Sequence, residues 1–141
     1  MNVKKLLIAT VAVGVVMNIF DYVVHGMILQ NAIYSGMTSL FRQDASMLWL
    51  ILGEFFAGLV FVFVYDRVYG SFGGGVKGGV MYGLLAGILV NFPAQIYNHL
   101  LINGFTYGLA WTWIIVGVLW GVVAGAVTGA LYKREATPAM A

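Results

Sequence analysis

Four long apolar stretches constrain the fold of this 141-residue chain more than any other feature. They lie at residues 6–28, 47–68, 76–102 and 109–132. The hydrocarbon core of a bilayer is about 30 Å thick, and roughly 20 apolar residues in helical form cross it, so each stretch is long enough to span a membrane. The sequence therefore predicts an all-α fold: a four-helix transmembrane bundle that forms one integral membrane domain over residues 1–141.

The composition agrees with this prediction and excludes several classes of protein. Apolar residues make up 62% of the chain and charged residues 9%, whereas soluble domains carry about 25% charged residues. The seven Lys and Arg residues are too few for a nucleic-acid-binding surface. The absence of cysteine excludes disulfides, thiolate metal sites and cysteine catalysis. Serines fall only in loops or at the ends of the stretches, so we expect no hydrolytic triad and favour a non-enzymatic role.

The basic residues predict the orientation of the bundle. If four helices cross the membrane, six Lys and Arg residues fall on one side and only Arg42 falls on the other. Cytoplasmic flanks carry the excess of Lys and Arg, so both termini and the loop at 69–75 are expected in the cytoplasm. We expect a multi-pass protein of the bacterial cytoplasmic (inner) membrane. The six residues are Lys4, Lys5, Arg67, Lys77, Lys133 and Arg134.

The longest loop connects the first two stretches, on the side opposite the termini. Its apolar residues recur at spacings of three and four. Two structures fit this pattern: a short helix lying in the membrane interface, or an ordered loop packed over the mouth of the bundle. The apolar residues are Ile33, Met37, Leu40, Phe41 and Leu48.

Two rows of glycines, spaced four residues apart, run along the last two stretches. Lipid gives apolar helices no hydrophobic reason to associate, so close backbone packing through small residues has to drive the association. We expect the two rows to pack against each other or against a second protomer. A second interpretation is a flat slot for a lipid, quinone or porphyrin. The rows are Gly75, Gly79, Gly83 and Gly87, and Gly117, Gly121, Gly125 and Gly129.

Ionisable residues interrupt the apolar stretches at matching depths. At 1.5 Å per residue, Asp21 and Glu54 lie about 10 Å below the outer edge of the membrane. His25 and His99 lie about 4 Å below the same edge. Ionisable groups are costly in a bilayer and normally face the bundle interior, so we expect these four side chains to converge on one site. Four amide side chains are expected beside them: Asn18, Asn91, Gln95 and Asn98.

Two carboxylates and two imidazoles are compatible with several kinds of chemistry. They are ligands for divalent transition metals, and they can bind ions or relay protons. The imidazoles are also ligands for haem or chlorophyll. The alternative is a structural hydrogen-bond network in a non-catalytic packing subunit of a larger membrane complex. Four helices enclose little volume, so in either case we expect a homo-oligomer or other membrane subunits as partners.

Overall fold

The computed structural model describes residues 2–42 and 44–133. Within these ranges the chain is helical and contains no strand. Four helices are long and apolar enough to cross a membrane, and their bounds differ from the predicted ones by no more than four residues. Arg134, one of the basic residues used to predict the orientation, lies outside the described ranges.

The first span is a continuous helix that changes type along its length. Its α-helical part, α1 (Val3–Asp21), continues as a π-helix over Tyr22–Leu29 and ends in one α-helical turn, α2 (Gln30–Ala32). π-Helical segments are rare in proteins, and those that occur are often found at functional sites. Asp21 is the last residue before this segment and His25 lies inside it. The wider helix therefore sets the direction of the His25 side chain relative to Asp21.

The other three spans are uninterrupted α-helices. α3 covers Met47–Phe72, α4 covers Gly75–Leu101 and α5 covers Tyr107–Leu131. A tight turn joins α3 to α4, and both of its residues, Gly73 and Gly74, have positive φ values. Residues with a Cβ rarely adopt this conformation, so the glycines allow the two helices to follow each other directly.

α4 and α5 form the most closely packed pair of helices. A Cβ atom built on Gly83 would overlap the backbone carbonyl oxygen of Gly121, and one built on Gly121 would overlap that of Gly83. The same contact recurs one turn along, between Gly79 and Gly125. The two rows of glycines are therefore in backbone-to-backbone contact within one chain.

The bundle has two distinct ends. The turn end carries Gly73 and Gly74. The loop end carries residues 33–42 and 44–46, which lie between the first two spans.

The main core is rich in buried aromatic side chains, among them Phe61, Tyr65, Tyr82 and Tyr132. Asp66 is 2% exposed and accepts a hydrogen bond from the hydroxyl group of Tyr132. This carboxyl group is therefore part of the packed interior toward the turn end.

The loop between the first two spans packs against the start of α5. It contains a three-residue 3₁₀ turn, Tyr34–Gly36, and no α-helix among residues 33–42 and 44–46. The expectation of a short interfacial helix is therefore wrong, and the alternative, an ordered loop, is observed. The reason is that the apolar side chains are partly buried against another element and need no helix to shelter them. They are Ile33, Tyr34, Met37, Leu40 and Phe41, packed on Phe105, Leu109, Ala110 and Trp113.

Candidate functional site

One cavity of about 990 Å³ is lined by residues from all four spans. Its ionisable and amide side chains collect toward the loop end of the bundle. The rest of the lining runs toward the turn end and is apolar or aromatic. The cavity therefore has a polar end and an apolar end. The residues at the polar end are Asp21, His25, Glu54, Asn91 and Gln95.

A pair of carboxyl groups forms the centre of the polar end. Asp21 and Glu54, from the first and second spans, are within hydrogen-bonding reach of each other. Two ionised carboxylates repel each other and neither can donate, so a hydrogen bond between the two side chains would require a proton on one of them. The indole N–H of Trp120 on α5 donates to Oε2 of Glu54 at 3.1 Å. Three helices therefore hold two acidic side chains close together at this end of the cavity.

Small residues explain how the two carboxyl groups come so close. A Cβ atom built on Gly58 would lie 3.4 Å from the carbonyl oxygen of Thr10 and 3.5 Å from the backbone nitrogen of Gly14. α1 and α3 therefore approach closely at a point one helical turn from Glu54. This approach brings the Asp21 side chain, two turns further along the first span, within reach of α3.

His25 connects the cavity to the loop. Its Nδ1 lies 2.7 Å from the hydroxyl oxygen of Tyr34, and the indole N–H of Trp113 donates to the same hydroxyl at 2.8 Å. The rings of His25 and Trp113 also pack edge to face, with centroids 5.8 Å apart. Burial raises the pKa of Tyr34 to about 12, so its hydroxyl keeps the proton at neutral pH. The loop thus covers this end of the cavity and fixes the imidazole.

The four amide side chains take different roles. Asn91 lines the cavity, packs against Gly117 and donates to the carbonyl oxygen one turn earlier in α4. Gln95 is buried at the cavity wall, and its Oε1 accepts a hydrogen bond from Nδ2 of Asn98 at 3.0 Å. Asn18 donates to the carbonyl oxygen four residues earlier in its own helix, and it is not among the lining residues. Two amides therefore belong to the cavity and one supports it.

His99 lies apart from the other three ionisable residues. Its Nδ1 is 2.8 Å from the carbonyl oxygen of Phe105, and its ring packs edge-on against Tyr107. It thus links the end of α4 to the segment that leads into α5, and it does not line the cavity. The structure brings Asp21, His25 and Glu54 to one cavity and places His99 elsewhere.

The arrangement does not form a metal centre. In the part of the chain that the structure describes, no group of three or more His, Cys, Asp and Glu side chains is placed to hold a metal ion. Asp21, His25 and Glu54 line the same cavity, but these three side chains do not form such a group. Within the described residues, the interpretation as a divalent-metal site therefore has no geometric support.

The site contains three aromatic residues that were not among the candidates from the sequence: Tyr34, Trp113 and Trp120. A signal existed for the two tryptophans, because they are seven residues apart and so lie on one face of α5, two turns from each other. No local signal identifies Tyr34, because its contacts depend on how the loop folds back over the bundle.

The chain matches no protein-family model, and neither a curated protein nor a solved structure matches it. The structure therefore defines the class of protein by itself. Over the residues that the structure describes, the fold is helical, with four helices long and apolar enough to cross a membrane. The fold and the geometry of the cavity are the observations from which a function can be inferred.

Proposed function

We propose that this chain is an integral membrane protein whose Asp21–Glu54 pair binds and releases a proton within the membrane. The observation that carries the proposal is the hydrogen-bonding contact between two carboxyl groups on different helices. A shared proton removes the repulsion between them, and its release leaves a second negative charge that attracts a cation. Acidic residues inside membrane spans commonly belong to ion and proton pathways.

The distribution of Lys and Arg supports an orientation for this site. With both termini in the cytoplasm of a bacterial cell, the loop end of the bundle faces outward. Glu54 follows Met47, the first residue of α3, by seven residues, so the carboxyl pair lies about 10 Å inside the outer boundary of the span. The pair thus exchanges its proton with the outer side, next to the loop that carries Tyr34.

A role as a packing subunit has less support from the structure. That role uses the two rows of glycines for packing, within the chain or between subunits. The rows are in contact with each other within the chain, as between Gly83 and Gly121, so their spacing does not by itself call for a partner.

Infrared difference spectroscopy during a pH step, on the purified protein in lipid vesicles, tests the proposal. We expect a band from a protonated carboxyl group that is lost in Asp21→Asn and in Glu54→Gln. The matched control is Asp44→Asn, because Asp44 is exposed and pairs with Arg42 at 2.9 Å, away from the cavity. The control should keep the band. A band that is unchanged in both cavity variants would contradict the proposal.

A further inference from the structure

The cavity continues from the carboxyl pair as a crevice between α3 and α4. The two helices are joined near the turn end, where the hydroxyl of Tyr82 donates to the carbonyl oxygen of Phe61 at 2.9 Å. The two helices contact each other little overall, and the ring of Tyr82 supplies two of these contacts, against Phe61 and Phe72. Two residues that line the crevice, Phe56 and Leu89, are 68% and 74% exposed. The crevice is therefore open on the side between these helices, and this side faces lipid when the spans cross a bilayer.

The lining of the crevice changes from acidic to apolar along its length. Apolar residues of α3 line it from Phe56 to Phe72, which is about 24 Å at 1.5 Å per residue. None of the described lining residues is Lys or Arg. The acidic groups in the lining are Asp21 and Glu54, and His25 is the basic group beside them, so the polar end attracts positive charge while the imidazole is neutral.

Two tryptophans line the acidic end of the cavity. Trp120 contacts Glu54 directly through its indole N–H, and Trp113 lines the same part of the cavity. The face of an indole ring attracts cations, and quaternary ammonium groups in particular are recognised by aromatic cages. Two carboxyl groups with tryptophan side chains in the same part of the cavity, followed by a long apolar wall, are therefore complementary to a molecule with one positive charge and an apolar body.

We propose that the crevice binds a lipophilic organic cation, a protonated or quaternary amine attached to an apolar group. The nitrogen lies against Asp21 and Glu54 in place of their shared proton, which is released to the solvent, and the apolar group lies along α3 and α4. The volume of about 990 Å³ accommodates such a molecule, since small-molecule sites measure about 300–1,000 Å³. This inference rests on the proposed proton-binding role of the pair.

The test is equilibrium dialysis of benzyltributylammonium against the full chain in nanodiscs of phosphatidylcholine. Its neutral analogue, benzyltributylsilane, is the matched ligand control. We expect saturable binding of the ammonium ion with release of a proton, and no saturable binding of the silane. Asp21→Asn and Glu54→Gln should each weaken the binding about tenfold or more, because each removes one partner of a buried ion pair.

A second pair of variants tests the crevice itself. Ala86 lines it on α4, so Ala86→Phe should fill the crevice and abolish binding of the ammonium ion. Ala94 is exposed on the same helix and does not line the crevice, so Ala94→Phe should bind as the unmodified chain does.

Three outcomes would overturn the inference. They are equal binding of the ammonium ion and the silane, unchanged binding in Ala86→Phe, and no binding of the ammonium ion by a chain that shows the carboxyl band. In the last case the proposed proton-binding function still stands. Failure of the proposed function is recognised by a different result, a carboxyl band that stays unchanged in both Asp21→Asn and Glu54→Gln.

Discussion

Oε2 of Glu54 on α3 accepts a hydrogen bond from the indole nitrogen of Trp120 on α5, over a distance of 3.1 Å. The ring of Trp120 also packs edge to face against Phe61 of α3, with the ring centroids 5.7 Å apart. The hydrogen bond therefore fixes the Glu54 carboxyl group from a second helix and holds that group beside Asp21.

Replacing Trp120 by Phe keeps an aromatic ring but removes the donor to Glu54. We expect Trp120→Phe to lower the free energy of unfolding by about 1 kcal/mol, within the range measured for hydrogen bonds in membrane proteins. Unfolding in mixed micelles measures this change. Trp111→Phe is the control, because Trp111 is 40% exposed on the same helix and does not line the cavity. Equal losses in the two variants would show that the bond to Glu54 contributes nothing specific.

The contact between Gly83 and Gly121 predicts that adding a single methyl group at this point forces α4 and α5 apart. A Cβ on Gly83 would overlap backbone, which cannot rotate away as a side chain can. We expect Gly83→Ala to destabilise the chain by about 2 kcal/mol or more, the cost of overpacking. Gly53→Ala is the control, because no atom lies within 4 Å of a Cβ built there. Its expected effect is neutral or stabilising, since alanine favours helix over glycine. Similar unfolding midpoints for both variants would contradict the packing.

The buried carboxyl group of Asp66 depends on the hydroxyl of Tyr132. Asp66 is 2% exposed, and a buried charge that loses a hydrogen-bond donor loses stabilisation of about 1.5–3 kcal/mol. We expect a loss of this size in Tyr132→Phe, measured by unfolding in micelles. Tyr97→Phe, at a position 61% exposed, should change stability little. In the Asp66→Asn background the effect of Tyr132→Phe should shrink, and an undiminished effect would mean that the bond to Asp66 is not its cause.

The attachment of the loop should depend on pH in the alkaline range. Burial raises the pKa of Tyr34 from its ordinary value of 10.0 to about 12, so folding favours the protonated phenol. Its contribution is complete below pH 10 and is lost as the pH rises toward 12. We expect the fluorescence of Trp113 to change in this window, in a chain whose other tryptophans, Trp49, Trp111 and Trp120, are replaced by Phe. The same transition in a chain that also carries Tyr34→Phe would refute the assignment.

Much of the candidate site was predictable because depth in a membrane helix follows from local geometry. The rise per residue places Asp21 and Glu54 at one level without any knowledge of how the helices pack. The cost of ionisable groups in lipid directs both of them inward. The structure adds that the two carboxyl groups are within hydrogen-bonding reach and that Trp120 holds one of them.

The position of His99 could not be predicted from depth alone, because His99 does not line the cavity. The predicted depth of His99 matches that of His25. However, Nδ1 of His99 is hydrogen-bonded to the carbonyl oxygen of Phe105, in the short connection between α4 and α5. His25 in turn owes its position to a π-helical segment and to Tyr34 in a distant part of the loop. Neither the change of helix type nor the path of the loop has a periodic signal in the sequence.

The sequence by itself predicted the four long apolar helices, the two rows of glycines and the levels of the polar residues, because hydropathy, helical rise and residue size are local properties. The tertiary structure decided which residues at one level meet. It also decided that the loop covers the cavity and that α3 and α4 leave a crevice between them. These features depend on the rotation of each helix about its axis and on contacts between residues far apart in the chain, and both are set only when all four helices pack together.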